Sequence, residues 1–174
     1  SIIGYIELLL RRHPDERQQY YLENMKGSSD HILSLVNDLL DFQRLESGEM
    51  EVHSVPFRVP VLFDEIYTSF QPIAEAKGLR FVLNLEPEET GQVYMGDPIR
   101  IRQVVGNLLS NAIKFTEAGR VVLLVSLQKL SIINYQLSIT VSDSGPGIPK
   151  EEQERIFGEF TRLADTEEAE GFGL

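Results

Sequence analysis

Apolar residues recur with helical spacing from the first turn of the chain. In "SIIGYIELLLRR", Ile3, Ile6 and Leu10 fall on one side of a helix over residues 2–12. "HPDE" at 13–16 reads as a turn, with Pro14 and Asp15 suited to a helix start. Tyr21, Met25, Ser28, Ile32, Leu35, Leu39 and Phe42 then alternate steps of four and three, an a/d seam interrupted once by Ser28. Leu22, Leu33, Val36 and Leu40 widen this face beyond a two-stranded seam, and Gly48 in "SGE" marks the stop. A hairpin with one short arm and so wide an apolar face cannot bury itself. Two hairpins pairing as a four-helix bundle would cover it, and so would packing on the rest of the same chain.

The period changes after residue 48. "MEVHSVPF" is strand-like and punctuated by Pro56. Residues 60–77 predict a second amphipathic helix with Leu62, Ile66, Phe70 and Ile73 inward, stopped at Gly78. "RFVLNLE" (80–86) alternates as a strand, "QVYMGDP" gives a short strand and a turn, and Pro98 opens a helix running to Phe115. Its inward face is expected to hold Ile101, Val104, Val105, Leu108, Ala112 and Phe115. Two adjacent antiparallel strands, 120–127 and 135–142, follow through "KLSIIN". The expected fold class is α+β: a helical hairpin over 1–48, then a two-layer α/β sandwich over 49–174, with the boundary near 47–55.

Charge and composition narrow the partners. The 174 residues hold 27 acidic against 16 Lys and Arg side chains, a formal charge of −11, which argues against a nucleic-acid or anionic-membrane surface. The absence of cysteine excludes disulfides and thiol chemistry. No apolar run approaches the roughly 20 residues that span a bilayer; "VVLLVSL" (121–127) is strand-like in length. Helical period at the first residue and a sudden "GFGL" end suggest a segment of a longer protein.

Three stretches could carry chemistry. Along the helix after Pro98, Gln103, Asn107, Asn111 and Lys114 form a polar stripe. Amide oxygens are hard ligands suited to Mg²⁺, and a Lys one turn on can meet phosphate; an ordinary solvated face would give the same spacing. In "DSGPGIPK", Asp143 ends an apolar strand and Gly145 and Gly147 let the backbone turn or approach a ligand. Such a carboxylate can accept from an exocyclic amine like that of adenine, or cap its own turn. The glycine pair in "EGFGL" could turn N–H groups toward a phosphate, or be a loop.

Taken in order, the pieces resemble the catalytic core of a sensor histidine kinase over essentially the whole chain. "GDPIRIRQVVGNLLSNAIKFT" looks like the family's N box, "DSGPGIP" its G1 box, "IFGEFTRL" its F box and "GFGL" the start of its G2 box; "SIIGYIELLL" and "NDLLDFQRLESGEMEV" resemble its dimerisation and phosphotransfer hairpin. The resemblance implies that Asn111 binds the Mg²⁺ bridging the ATP phosphates, with Asn107 beside it and Lys114 near the phosphates. It places adenine on Asp143, with Gly145, Gly147 and Ile148 shaping that wall. Phe157 and Phe160 would anchor an ATP lid, Arg162 would contact phosphate, and Gly171, Gly173 and Leu174 would border the phosphates. In related ATPases such as gyrase, a water-activating glutamate stands where this chain has Asn107. An amide cannot be a general base, which fits phosphotransfer better than hydrolysis.

The resemblance further implies a two-component kinase that binds Mg·ATP, phosphorylates a histidine and passes the phosphoryl group to a response-regulator receiver domain. It implies a homodimer through residues 1–48, in the cytoplasmic portion of an inner-membrane sensor whose spanning segments lie outside this chain. The phosphoacceptor motif, Ser/Thr-His-Glu-x-Arg-Thr-Pro, ends just before an Ile-x-Gly-Tyr stretch like that at 3–5, so these residues begin inside the join. His13, His31 and His53 do not match its context, and no catalytic residue is assigned within the chain. Phe172 replaces a common Thr or Ser, and "ADTEEAEG" (164–171) is strongly acidic. The contrasting function is a non-catalytic dimerising scaffold with a degenerate ATP site.

Overall fold

The structure is a computed structural model that describes residues 2–86, 92–131 and 134–153. The fold is α+β, in two compact units that divide after Glu51.

The first unit is a helical hairpin of α1 (Ile2–Leu10) and α2 (Glu16–Glu46). Its turn holds His13 at φ 52°, a left-handed backbone uncommon outside glycine. Asp15 then caps α2 in a reciprocal box. Its Oδ1 accepts from the Gln18 N–H at 2.8 Å, and the Gln18 Oε1 accepts from the Asp15 N–H at 3.2 Å. At the far end Gly48, at φ 70°, completes a two-bond C-cap: its N–H donates to Leu45 and that of Glu49 to Arg44. The predicted side of α1 is the covered one, with Ile6 buried and Ile3 and Leu10 half-buried. On α2, by contrast, Tyr21, Met25, Ile32, Leu33, Val36, Leu39 and Leu40 are all exposed.

In the second unit, the expected strand "MEVHSVPF" contracts to β1 (Val55–Phe57), which pairs antiparallel with β3 (Tyr94–Gly96). The larger sheet has the order β2-β4-β5. It joins β2 (Arg80–Leu85), β4 (Arg120–Lys129) and β5 (Tyr135–Asp143). β4 and β5 are antiparallel as expected, from Val121 opposite Asp143 to Lys129 opposite Tyr135. β2 runs parallel to β4, from Arg80 opposite Arg120 to Leu85 opposite Val125, so α4 (Pro98–Phe115) is part of a crossover.

α3 (Val59–Ala76) and α4 pack with this sheet around one core. Alternate strand residues point into it: Phe81, Leu83 and Leu85 from β2, Val121, Leu123 and Val125 from β4, Leu137, Ile139 and Val141 from β5. From α3 come Val59, Leu62, Phe63, Ile66 and Ala74. Ile73, expected inward, is exposed, because steps of four from Ile66 through Phe70 reach Ala74 instead. Gly78, at φ 74°, ends α3 with the same two-bond cap, the Gly78 N–H donating to Glu75 and the Leu79 N–H to Ala74. A polar cluster ties β3 to β5. The Gln92 amide donates to the Tyr135 hydroxyl at 2.9 Å and accepts from that of Tyr94 at 3.2 Å, and the two rings meet edge to face at 5.2 Å.

The rotation of α4 differs from the expected one. Its buried residues are Val105, Leu109, Ala112 and Ile113, with Ile101 packed beside them. Val104, Leu108 and Phe115, expected inward, are 59%, 45% and 39% exposed. Leu108 and Leu109 are adjacent, so two overlapping helical stripes were available, and the sheet selects the one that continues into the fully buried Thr116. Leu109→Ala is therefore expected to cost about 3 kcal/mol of unfolding free energy, and Leu108→Ala about 1 kcal/mol or less. Chemical denaturation of the two variants checks this; equal losses would contradict the observed rotation.

Candidate functional site

α4 is held at both ends by polar contacts. At its start Pro98 takes the first helical position and Asp97 is the cap, its Oδ1 accepting from the N–H groups of Ile99 at 3.1 Å and Arg100 at 3.0 Å. Its Oδ2 accepts from the backbone N–H of His53 at 2.9 Å, joining the segment before β1 to the helix. The Arg100 N–H, then that of His53, then Ile99 and the Arg100 guanidinium favour the charged carboxylate; burial opposes them, and the pKa lies below the ordinary 3.8.

At its other end, the Lys77 ammonium donates to the carbonyls of Ile113 at 2.8 Å and Lys114 at 2.6 Å. A cation on the last carbonyls offsets the negative end of the helix dipole. The Lys114 ammonium lies 5.1 Å from the centre of the neighbouring Phe115 ring. Thr116 closes the helix, its N–H donating to Ala112, and its buried Oγ1 has no hydrogen-bond partner among the described residues.

Because the core takes the other stripe, Asn107 and Asn111 are exposed, beside Val104, Leu108 and Phe115. Among the described residues neither amide has a hydrogen-bond partner. Gln103 and Lys114 are half-buried, and Gln103 accepts from the Arg100 guanidinium at 2.7 Å.

The turn after β5 meets this end of α4. Asp143 Oδ1 accepts from the Gly145 N–H at 2.8 Å, so one oxygen caps its own turn. A Cβ on Gly145 would stand 2.8 Å from Asp143 Oδ1, 3.1 Å from the Phe115 carbonyl oxygen and 3.3 Å from Thr116 Oγ1. Glycine suits the position because the strand-end turn abuts the helix terminus and a Cβ would crowd both. Gly147 is needed for its backbone, at φ 74°. Ile148 is exposed, and its carbonyl accepts from the Gln153 amide at 3.0 Å. The structure thus brings Asp143 and Gly145 against the last turn of the helix that carries Asn107, Asn111 and Lys114. Phe157, Phe160, Arg162, Gly171, Gly173 and Leu174 lie outside the described residues.

The profile of the phospho-acceptor family described as "His Kinase A (phospho-acceptor) domain" matches residues 1–48. That of "Histidine kinase-, DNA gyrase B-, and HSP90-like ATPase" matches residues 96–174. The chain belongs to the sensor histidine kinases. Over 165 residues, 95% of the chain, it is 36% identical to the signal transduction histidine-protein kinase BarA of Escherichia coli K12. It is 35% identical over 162 residues, 93% of the chain, to the sensor protein GacS of Pseudomonas syringae. In each case the chain spans 18% of the relative's length. Among solved structures, full-length ShkA in complex with AMPPNP matches 99% of the chain and 35% of its own, at 31% identity and a TM-score of 0.73. The histidine kinase AdeS of Acinetobacter baumannii matches 87% of the chain and 74% of its own, at 26% identity and a TM-score of 0.58.

Four residues of this histidine kinase core escaped the sequence reading. Asp97 carried a usable signal, an Asp-Pro pair opening a helix. Lys77, Thr116 and Ser144 carried none: the Lys77 ammonium and the Ser144 hydroxyl bond backbone groups of segments distant in sequence, and the Thr116 hydroxyl is buried where the Gly145 turn meets the helix exit.

The charge on Asp97 gives the second unit an acid-sensitive element. Folding depresses this carboxyl, so its ionised form adds stability above the ordinary 3.8, and the contribution is lost as the pH falls through the lower folded value. Asp97→Asn is expected to be less stable than wild type at neutral pH, with the gap narrowing below pH 3.8. Urea unfolding across that pH range measures it; a gap that does not change with pH would remove the charge from the account.

Proposed function

We propose that residues 49–174 bind Mg·ATP and that residues 1–48 form a dimerisation and phosphotransfer hairpin, together the core of a two-component protein-histidine kinase. The observation that carries the reading is the meeting of the Asp143–Gly145 turn with the end of α4. It joins a carboxylate suited to an exocyclic amine to a helix whose two outward amides have no partner among the described residues.

The donor set suits magnesium held mainly by substrate. Asn111, with Asn107 beside it, offers hard amide oxygens, and no group of three His, Cys, Asp or Glu gathers among the described residues. Such an ion, when bound, would neutralise charge on the phosphates. The chain's own residues would bind and orient: Asp143 accepts from the adenine amine, Gly145, Gly147 and Ile148 shape the wall, and Lys114 meets phosphate. Phe157, Phe160, Arg162, Gly171, Gly173 and Leu174 are proposed on sequence resemblance alone. Asn107 cannot take a proton from water, which suits transfer to a side chain rather than hydrolysis.

The accepting imidazole is proposed to precede these residues in the protein. None of the chain's three histidines stands in the phosphoacceptor context. The phosphoryl group would pass on to an aspartate of a response-regulator receiver domain. The exposed stripe of Tyr21, Met25, Ile32, Val36 and Leu39 on α2 supports pairing with a second copy as a four-helix bundle. A location on the cytoplasmic side of an inner-membrane sensor is part of the same proposal; among the described residues no helix is long and apolar enough to cross a membrane.

Calorimetric titration of the full-length protein with Mg·ATP tests the reading. Wild type is expected to bind, Asp143→Asn to bind at least tenfold more weakly, and Asn111→Ala to lose most of the gain that Mg²⁺ brings. Absence of binding in wild type would replace this reading with the non-catalytic dimerising scaffold.

A further inference from the structure

The residue between Asp143 and Gly145 is a serine whose hydroxyl is engaged on both sides. Ser144 Oγ accepts from the Arg120 N–H at 2.9 Å and donates to the Ala118 carbonyl at 3.1 Å. The Ser144 N–H donates to the Arg120 carbonyl at 3.1 Å. Three bonds therefore lock the turn after β5 to residues 118–120, the turn that leads from α4 into β4. That turn is itself pinned, because the Gly119 carbonyl accepts from the Arg80 N–H at 2.9 Å.

Gly119 is the complement of the serine. Its φ is +112°, and a Cβ there would fall 2.2 Å from Ser144 Oγ. Only a residue without a side chain leaves room for the hydroxyl to reach both partners.

We infer that Ser144 is a positioning residue for the base-binding wall: its hydroxyl fixes the Asp143–Gly145 turn against the exit of α4 and so sets the aim of the Asp143 carboxylate. This rests on the nucleotide reading of Asp143. The hydroxyl's single proton is given to Ala118, so its role is to hold the wall rather than to donate to a ligand. The carboxylate depends on this support because Oδ1 is tied to the Gly145 N–H, and the side chain turns with the backbone of 143–145.

The test is titration of the full-length protein and its variants with Mg·ATP and Mg·ITP, alongside thermal unfolding. Inosine carries an oxygen in place of the exocyclic amine, so the ratio of the two affinities reports how well Asp143 is aimed. Wild type is expected to prefer ATP. Ser144→Ala is expected to bind ATP about tenfold more weakly while ITP affinity changes little, so the ratio collapses. Ser144→Thr, which keeps the Oγ, is expected to restore the ratio, and Gly119→Ala to reproduce the loss. Ser144→Cys, near in size but a weak hydrogen-bonding group, takes the place of Ser144→Ala if that variant does not fold. An unchanged ratio in the folded variants would overturn the inference. So would equal loss of both nucleotides with a lowered unfolding midpoint, which is the mark of a purely structural residue. A wild type that does not distinguish ATP from ITP would instead refute the adenine reading of Asp143 on which the inference stands.

Discussion

Burial of one stripe of α4 against the β2-β4-β5 sheet settles where every polar side chain on that helix points. With Val105, Leu109, Ala112 and Ile113 in the core, the helix cannot turn without exposing them, at roughly 1.5–3 kcal/mol for each large side chain. Asn107 and Asn111 are held outward by apolar packing in which they take no part. Val104 and Leu108 are the counterpart of that choice, left at the surface beside the amides. The buried side of the helix and the outward position of its two amides are thus two consequences of one packing arrangement.

The ends of α4 show how backbone polar groups are satisfied without blocking that surface. Asp97 takes up two N–H groups of the first turn and a third from His53, while Lys77 takes up two carbonyls of the last turn. The turn after β5 then packs so closely against the helix exit that a Cβ at position 145 would crowd the Asp143 carboxylate and the Phe115 carbonyl. Thr116 is left with a buried hydroxyl that no described group satisfies, a cost accepted where the helix exit and the strand-end turn meet.

The hairpin poses the opposite problem. Its caps are complete at both ends of α2, so the helix is locally well specified, yet its apolar residues outnumber the places that a short partner helix can cover. Local order and an uncovered apolar face thus coexist in the hairpin.

The residues of α2 were legible in advance because capping and heptad spacing are local. Asp15, Gly48 and the a/d seam each act within a few positions along the chain. The same holds for the alternation of β2, β4 and β5, for the Gly78 stop and for the motif order that marks the histidine kinases. What the sequence left open were choices between local answers of similar quality: whether Leu108 or Leu109 faces the sheet, whether Ile73 or Ala74 does, and which way β2 runs beside β4. Those were decided by tertiary packing, since a helix with two adjacent apolar stripes has no preference until a surface is presented to one of them. The same reason hides Lys77, Thr116 and Ser144 from the sequence. Lys77 and Ser144 bond backbone groups of another segment, the exit of α4 and the turn at 118–120, and Thr116 is buried where the strand-end turn meets the helix exit; only folding brings these groups together.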